Sequence, residues 1–257
     1  NLTQLDVMQT PTLKEADIEA FSQARPKVKV QSDFGEFPKA KTNSNNAHRE
    51  LAKLVLDKGG HILCETDDNP FLEVRKPEDL PIRPFRLRSV FLEGPTFEAM
   101  GDDPFAKFDL TGVEEVGVGF PTFGNAGLVN LLKIRGADKL TNLQLKNTGV
   151  TDPGLASLAK LTGLKGMSLD INRIDGTGFK ALASLPNLTG VTLLENPLSS
   201  EGVAALGKLP HVTYLNLHGC KLTPKHVEGL VGSKVENLCV HQTELTDEGA
   251  ALPADGR

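Results

Sequence analysis

A repeat of about 24 residues constrains the fold of this chain more than any other feature of its sequence. The apolar pair Leu143/Leu145 recurs four more times, at successive steps of 24, 24, 24 and 23 residues. The later copies are Met167/Leu169, Val191/Leu193, Leu215/Leu217 and Leu238/Val240. One coil of this length cannot bury its own apolar face, so it must stack on its neighbours. The fixed period therefore predicts a solenoid.

We call the residues at one position of the repeat, taken from all its copies, a column. Each column predicts one part of the coil. The alternation of apolar and polar residues in each pair predicts a half-buried strand, and stacking places these strands in one parallel sheet. The next column should bond backbone groups inside the stack; it contains Thr148, Asn172, Asn196, Cys220 and Thr243. A further polar column has the composition of helix N-caps: Thr151, Asp175, Ser199, Thr223 and Thr246. Apolar residues three apart then predict a short helix.

The segment LTNLQLKNTGVTDPGL, residues 140–155, fits the pattern L-x-x-L-x-L-x-x-T-x-V-T-D-x-G-L. This pattern resembles the bacterial, ribonuclease-inhibitor-like branch of the leucine-rich repeat family, and the resemblance covers about 165 of the 257 residues. It implies an α/β solenoid with a curved parallel sheet on the concave side and short helices on the convex side. It also implies a binding surface, without identifying a ligand.

The N-terminal segment repeats the pattern of one coil. Leu5 and Val7 occupy strand positions, and Ile18 and Phe21 occupy helix positions. We interpret residues 1–30 as the remnant of a preceding leucine-rich repeat array. Residues 31–46 lose the pattern and gather polar residues, glycine and proline, which predicts a linker.

The remaining chain is expected to contain a cap and one solenoid. Residues 47–84 predict an α-β-β N-terminal cap, with a helix from Ala47 and strands at 61–65 and 71–75. Residues 85–252 predict a solenoid of about seven coils, and 253–257 a truncated end. The strand centres are Phe91, Gly117, Gln144, Ser168, Thr192, Asn216 and Cys239.

Composition narrows the classes of function. The formal net charge of −5 argues against a general nucleic-acid or anionic-membrane binder. No apolar run approaches the ~20 residues of a membrane span. Three cysteines without a C-x-x-C pair favour free thiols and a reducing, cytoplasmic compartment. We expect neither a cofactor nor enzyme activity, because the glycine-rich and catalytic sequence motifs that would indicate them are not present.

The strand residues that point away from the core define a surface that we call the open face. In the leucine-rich repeat family, which this pattern resembles, such residues contact ligands. The C-terminal half of the open face offers the most apolar and aromatic side-chain area, which favours it as the binding surface. The predicted binding residues are Thr192, Leu194, Tyr214, Asn216, His218, Cys239 and His241.

Two histidines of the open face should lie side by side. His218 and His241 occupy equivalent positions on neighbouring strands, which are ~4.8 Å apart. A metal site would need a third donor, either Cys239 or Asp170. The ordinary interpretation, in which the histidines face solvent or a protein partner, is favoured. Cys220 lies in the column that asparagine fills elsewhere, which predicts a buried structural thiol.

Two functions fit these features. The favoured one is a non-catalytic protein-binding or scaffold module, with an unidentified protein partner and no nucleic acid or membrane. The alternative is an accessory recognition segment of a larger bacterial enzyme, such as a kinase whose catalytic domain lies outside this chain. We also expect the chain to be an internal piece of a longer protein, with exposed solenoid ends near 1–10 and 236–246 that fray or self-associate.

Overall fold

The described part of the chain forms two β-sheets and a series of short helices. The computed structural model describes residues 4–7, 14–25, 28–32, 35–37, 43–93 and 108–241. The first sheet contains β1 (Gln4–Asp6), β2 (Lys29–Ser32) and β3 (Gly35–Phe37). The second contains β4 (His61–Glu65), β5 (Leu72–Val74), β6 (Arg86–Glu93), β7 (Glu115–Gly119), β8 (Asn142–Leu145), β9 (Gly166–Ser168), β10 (Gly190–Thr192), β11 (Tyr214–Asn216) and β12 (Asn237–Cys239).

The helices are mostly two turns or shorter. The α-helices are α1 (Glu15–Ala24), α2 (Asn43–Asp57), α3 (Gly124–Leu131), α4 (Asp152–Leu155), α5 (Ser200–Gly207) and α6 (Pro224–Glu228). The 3-10 helices are Pro77–Asp79, Ala137–Lys139, Ala156–Lys160 and Thr177–Leu182. Within the described residues, no helix combines the length and the apolarity that crossing a membrane requires.

The predicted parallel sheet is confirmed strand by strand. Strands β6 to β12 pair in chain order, each parallel to its predecessor. The predicted centres fall in one register row: Phe91, Gly117, Gln144, Ser168, Thr192, Asn216 and Cys239. The chain therefore has the predicted α/β architecture, in which successive strands form one parallel sheet and helical segments lie between them in the chain.

The core lies between the parallel sheet and the helical segments. Leu143 and Leu145 are buried, while Asn142 before them and Gln144 between them are exposed, as a strand with one buried face requires. Leu155 and Leu158, on successive helical turns, are also completely buried. Because every coil contributes the same apolar positions, one continuous core extends along the stack.

The polar column after each strand bonds backbone groups inside the stack, as predicted. The Asn172 side-chain oxygen accepts hydrogen bonds from the backbone N–H and the hydroxyl of Thr148, at 3.0 and 3.1 Å. Asn196 Nδ2 lies 2.9 Å from the Leu169 carbonyl oxygen and 3.2 Å from that of Leu193. These amides join the end of one strand to the next coil, where helices and strands leave carbonyl groups unpaired.

The predicted N-cap column is confirmed in part. Ser199 caps α5 by accepting a hydrogen bond from the Gly202 N–H at 3.0 Å. The prediction is wrong for Asp175, because Gly176 precedes the helical turn there. The Asp175 carboxylate instead accepts from the N–H of Thr177, the first residue of that helical turn, at 2.8 Å. Thr246 and Thr243 lie outside the described residues.

Close approach of neighbouring helical turns leaves no room for a side chain at Gly202. A Cβ atom at this position would overlap the Asp175 carbonyl oxygen and lie 2.7 Å from the Gly176 Cα. Both obstacles are backbone atoms, so a rotamer change cannot relieve them. We expect Gly202→Ala to lower the free energy of unfolding by about 1–3 kcal/mol in urea titration.

Gly190→Ala is the matched control for this substitution. Its Cβ would find the Tyr214 ring at 3.9 Å, an ordinary contact. We expect the control to change stability by less than about 0.5 kcal/mol. Equal effects of the two substitutions would show that the helical turns can separate at no cost.

The predicted α-β-β segment continues the sheet beyond β6. Strand β4 pairs antiparallel with β6, and β5 pairs antiparallel with β4. Helix α2 begins at Asn43 rather than at the predicted Ala47. Residues 43–46 all have side chains that favour helix N-caps, so composition alone could not select the first of them. The role of this segment as a cap stays a prediction.

The side chain of His48 ties α2 to the start of the solenoid. Its Nδ1 accepts the Leu87 N–H at 3.3 Å, so Nε2 donates to the Thr111 carbonyl oxygen 2.8 Å away. The ring is buried and lies against Gly112. This bridge could not be predicted from the residue pattern, because its three segments are distant in the chain.

The N-terminal sheet contains one coil-like unit. Strands β1 and β2 are parallel, with Gln4 opposite Lys29, and α1 lies between them in the chain. Ile18 packs with Val28 and Val30 in a small core of its own. The segment 31–46 is not a plain linker, because it includes the end of β2, all of β3 and the start of α2. These strands are too short for periodicity to reveal. The division into domains stays a prediction.

Candidate functional site

The open face at β10, β11 and β12 brings the predicted binding residues together. Thr192, Asn216 and Cys239 form one register row across the three strands. Tyr214 stands opposite Gly190 on one side and Asn237 on the other. Leu194, His218 and His241 follow just beyond the strands. The structure thus places all seven residues on one continuous surface, while their role in binding stays a prediction.

Tyr214 is the largest side chain exposed on this surface. Its exposed fraction is 39%, and its ring lies beside Gly190, 3.9 Å from the place that a Cβ atom would occupy there. Leu194 and Thr192 are half-buried on the neighbouring coil. An aromatic ring beside a partly exposed leucine is a typical composition for a binding hot spot.

Hydrogen bonds to the backbone hold the polar side chains of the open face in place. The Asp170 carboxylate accepts from the Leu194 N–H at 3.0 Å and from the Ser168 hydroxyl at 2.8 Å. Asn216 Oδ1 accepts from the His218 N–H at 3.1 Å. The surface is therefore preorganised, which reduces the entropy lost on binding.

The predicted proximity of His218 and His241 is confirmed. Their ring centroids are 6.1 Å apart and their planes are inclined by 56°. Among the described residues, no group of three His, Cys, Asp or Glu side chains has a spacing that could hold a metal ion. The histidine pair adds two polar, aromatic rings to the open face.

The N-terminal half of the open face carries a stacked pair that the sequence did not predict. The His61 ring of β4 stacks on the Phe91 ring of β6 at 4.3 Å, with 7° between the planes. Phe91 in turn covers Gly117, where a Cβ atom would overlap the ring. Gly117 is therefore covered by an aromatic side chain, and the pairing of β4 with β6 places the two rings together.

Burial of His61 predicts a pH-dependent stability. Desolvation lowers the pKa of His61 from its ordinary value of 6.5, and Arg75 lowers it further, against the opposing effect of Glu93 and Glu73. Below pH 6.5 the unfolded chain therefore binds a proton that the folded chain resists. The stabilising effect is complete above pH 6.5 and declines as the pH falls toward the lowered pKa.

His61→Phe keeps a ring against Phe91 and removes the titration. Between about pH 7.5 and about pH 5.5, we expect the wild type to lose more unfolding free energy than this variant in urea titrations. Identical losses in the two proteins would show that His61 does not couple to folding.

A strained residue borders the open face beside β9. The backbone is left-handed two or three residues after the strand end in four successive coils, with φ of 51° at Asn147, 53° at Ile171, 53° at Glu195 and 73° at Gly219. Ile171 is the poorest fit, because a β-branched side chain crowds the backbone in this region. It is nevertheless 38% exposed. Its apolar side chain gains little from burial in the isolated chain.

The three cysteines differ in accessibility. Cys64 and Cys220 are completely buried, and burial raises the pKa of the Cys64 thiol to about 11 and also raises that of Cys220. Cys220 donates to the Leu193 carbonyl oxygen at 3.0 Å, which confirms its prediction as a buried structural thiol. Cys239 is only half-buried.

We expect one fast-reacting thiol in the native protein. At about pH 7.5, a thiol reagent such as 5,5′-dithiobis(2-nitrobenzoic acid) should modify Cys239 first, and Cys64 and Cys220 only on unfolding. Cys239→Ser should abolish the fast phase. A fast phase that survives this substitution would contradict the assignment.

Comparison with known proteins finds similarity among solved structures only, at low sequence identity. No protein-family profile matches this chain, and no curated protein matches it. Among solved structures, the chain is similar to internalin C2 of Listeria monocytogenes at 15% identity, over 76% of this chain and 93% of that chain, with a TM-score of 0.37. It is also similar to internalin F of the same organism at 20% identity, over 56% and 45% of the two chains, with a TM-score of 0.33.

Proposed function

We propose that the chain is a non-catalytic protein-binding module whose contact surface is the C-terminal half of the open face. The observation that carries this proposal is the exposure of Tyr214 on the middle one of three strands in register. A solenoid needs none of the open-face side chains for its core, so an exposed aromatic ring there serves something other than folding.

Two further observations support a protein as the ligand. The surface is broad and carries apolar, aromatic and hydrogen-bonding groups together, as the centre of a protein interface does. Ile171, at the border of this surface, is exposed and has a strained backbone conformation. Such strain lowers stability and is often retained at functional surfaces. The concave shape of this face, the ribonuclease-inhibitor-like repeat type and a scaffold role are parts of the same proposal.

Site-specific photocrosslinking tests the proposal directly. A p-benzoylphenylalanine in place of Tyr214 should form a covalent adduct with a protein partner in an extract of cells that make this protein. Tyr214→Ala and His218→Ala should then weaken capture of that partner, with a loss for Tyr214 of about 2 kcal/mol or more, as for a hot-spot residue.

Val129 provides the matched control position. It lies on α3 and is 42% exposed, close to the 39% of Tyr214. The same crosslinker at this position should give no adduct with the same partner. Equal crosslinking at both positions, or full capture by the Tyr214→Ala variant, would place the contact surface elsewhere.

A further inference from the structure

A groove of about 430 Å³ lies across the strand entries at the C-terminal end of the sheet. Its lining includes the residue directly before each of four strands: Lys165, Thr189, Thr213 and Glu236. The return loops add His211 and Lys234, and two prolines form exposed apolar walls. This surface is separate from the seven predicted binding residues of the open face.

The backbone carbonyl groups at three of the four strand entries are already engaged. The carbonyl oxygens of Lys165, Thr189 and Thr213 each accept two backbone N–H bonds from the following coil, at 2.8–3.1 Å. At these strand entries, an added peptide strand would therefore find no unpaired carbonyl groups with which to extend the sheet. Recognition in the groove must use side chains.

Those side chains give the groove a positive character in a chain of net charge −5. Lys165, His211 and Lys234 are exposed. None of the three makes an ion pair or a side-chain hydrogen bond to another described residue. Glu236 is the carboxylate among the lining residues. The charges favour a ligand with a few separate negative groups.

The spacing of the cations sets the length of such a ligand. Lys165 precedes β9 and Lys234 lies near the start of β12, three strand intervals or ~14 Å away. An extended peptide advances ~3.3 Å per residue, so four residues span this distance. We propose that the groove binds an extended acidic peptide segment with carboxylates four residues apart, one at each lysine.

Nucleic acid fits the groove less well. Glu236 would repel a continuous run of phosphates, and the lining contains no aromatic ring of Phe, Tyr or Trp on which bases could stack. Separate carboxylates can instead lie at Lys165 and Lys234 and avoid Glu236. His211, between the lysines, can donate to a carbonyl oxygen of the peptide.

The test uses the acetylated, amidated peptide Glu-Ser-Ala-Ser-Glu and the whole chain, with backbone amide shifts recorded by NMR. We expect saturable shifts at the groove residues that weaken as salt is added. The double variant Lys165→Glu/Lys234→Glu should bind this peptide at least about tenfold more weakly. The same variant should bind Lys-Ser-Ala-Ser-Lys, which the wild type should not.

A second double variant controls for net charge. Lys160→Glu/Lys208→Glu changes two exposed lysines on the helical side and alters the charge equally; it should bind the acidic peptide within about twofold of the wild type. Equal loss in both variants, no shifts in the groove, or groove shifts with a single-stranded oligonucleotide but not with the peptide would overturn the proposal. None of these results depends on binding at Tyr214, so the experiment tests the groove without testing the function proposed for the open face.

Discussion

Leu193→Ala is expected to lower the free energy of unfolding by about 2–5 kcal/mol. Leu193 is completely buried, in the middle of the stacked array, and its side chain belongs to the continuous core. Coils above and below fix the walls of the resulting cavity, because their backbones are hydrogen-bonded to this coil. The Leu193 N–H, for instance, donates to the Asn216 carbonyl oxygen at 2.9 Å. Collapse around the cavity is therefore limited.

Leu194→Ala is the matched control, since it removes the same atoms one residue later. Leu194 is half-buried on the open face, so its loss should cost clearly less than that of Leu193. Urea titrations of both variants measure the difference. A loss below about 1 kcal/mol for Leu193→Ala would show that the core relaxes around the site.

Asn172→Ala should destabilise the chain by about 3 kcal/mol or more, although it removes little apolar area. Asn172 Nδ2 lies 2.7, 2.9 and 3.0 Å from the carbonyl oxygens of Leu145, Leu169 and Asp170. Its Oδ1 also accepts the buried Thr148 N–H. Alanine would leave several of these groups without partners in a region that excludes water, at ~1–3 kcal/mol each.

Two substitutions separate this effect from side-chain volume. Asn142→Ala removes an exposed asparagine from β8 and should change stability by less than about 0.5 kcal/mol. Asn172→Cys should be milder than Asn172→Ala, because Cys220 shows that a thiol in this column can donate to a carbonyl of the preceding coil. If Asn172→Ala unfolds at the same urea concentration as the wild type, water must enter the stack at this position.

Periodicity determined the repeated part of the fold because a solenoid depends on contacts between neighbouring coils. Steps of 24 or 23 residues predicted the strand centres from Gln144 to Cys239, and two longer steps of 26 and 27 residues connect Phe91 and Gly117 to them. Stacking aligned each centre with the next. Comparison of equivalent positions in successive repeats also predicted that Asn172 and Cys220 lie inside the stack and that His218 lies near His241. Each of these features needs only the local pattern and its translation by one coil.

The tertiary structure alone decided features that join unlike segments. The antiparallel pairing of β4 with β6 places His61 on Phe91, and His48 joins α2 to Leu87 and Thr111. The groove at Lys165 and Lys234 likewise depends on how successive return loops project beyond the strands. These contacts do not repeat, so no period in the sequence encodes them. Which residues contact each other in these places depends on the path of the chain and on the burial that this path permits.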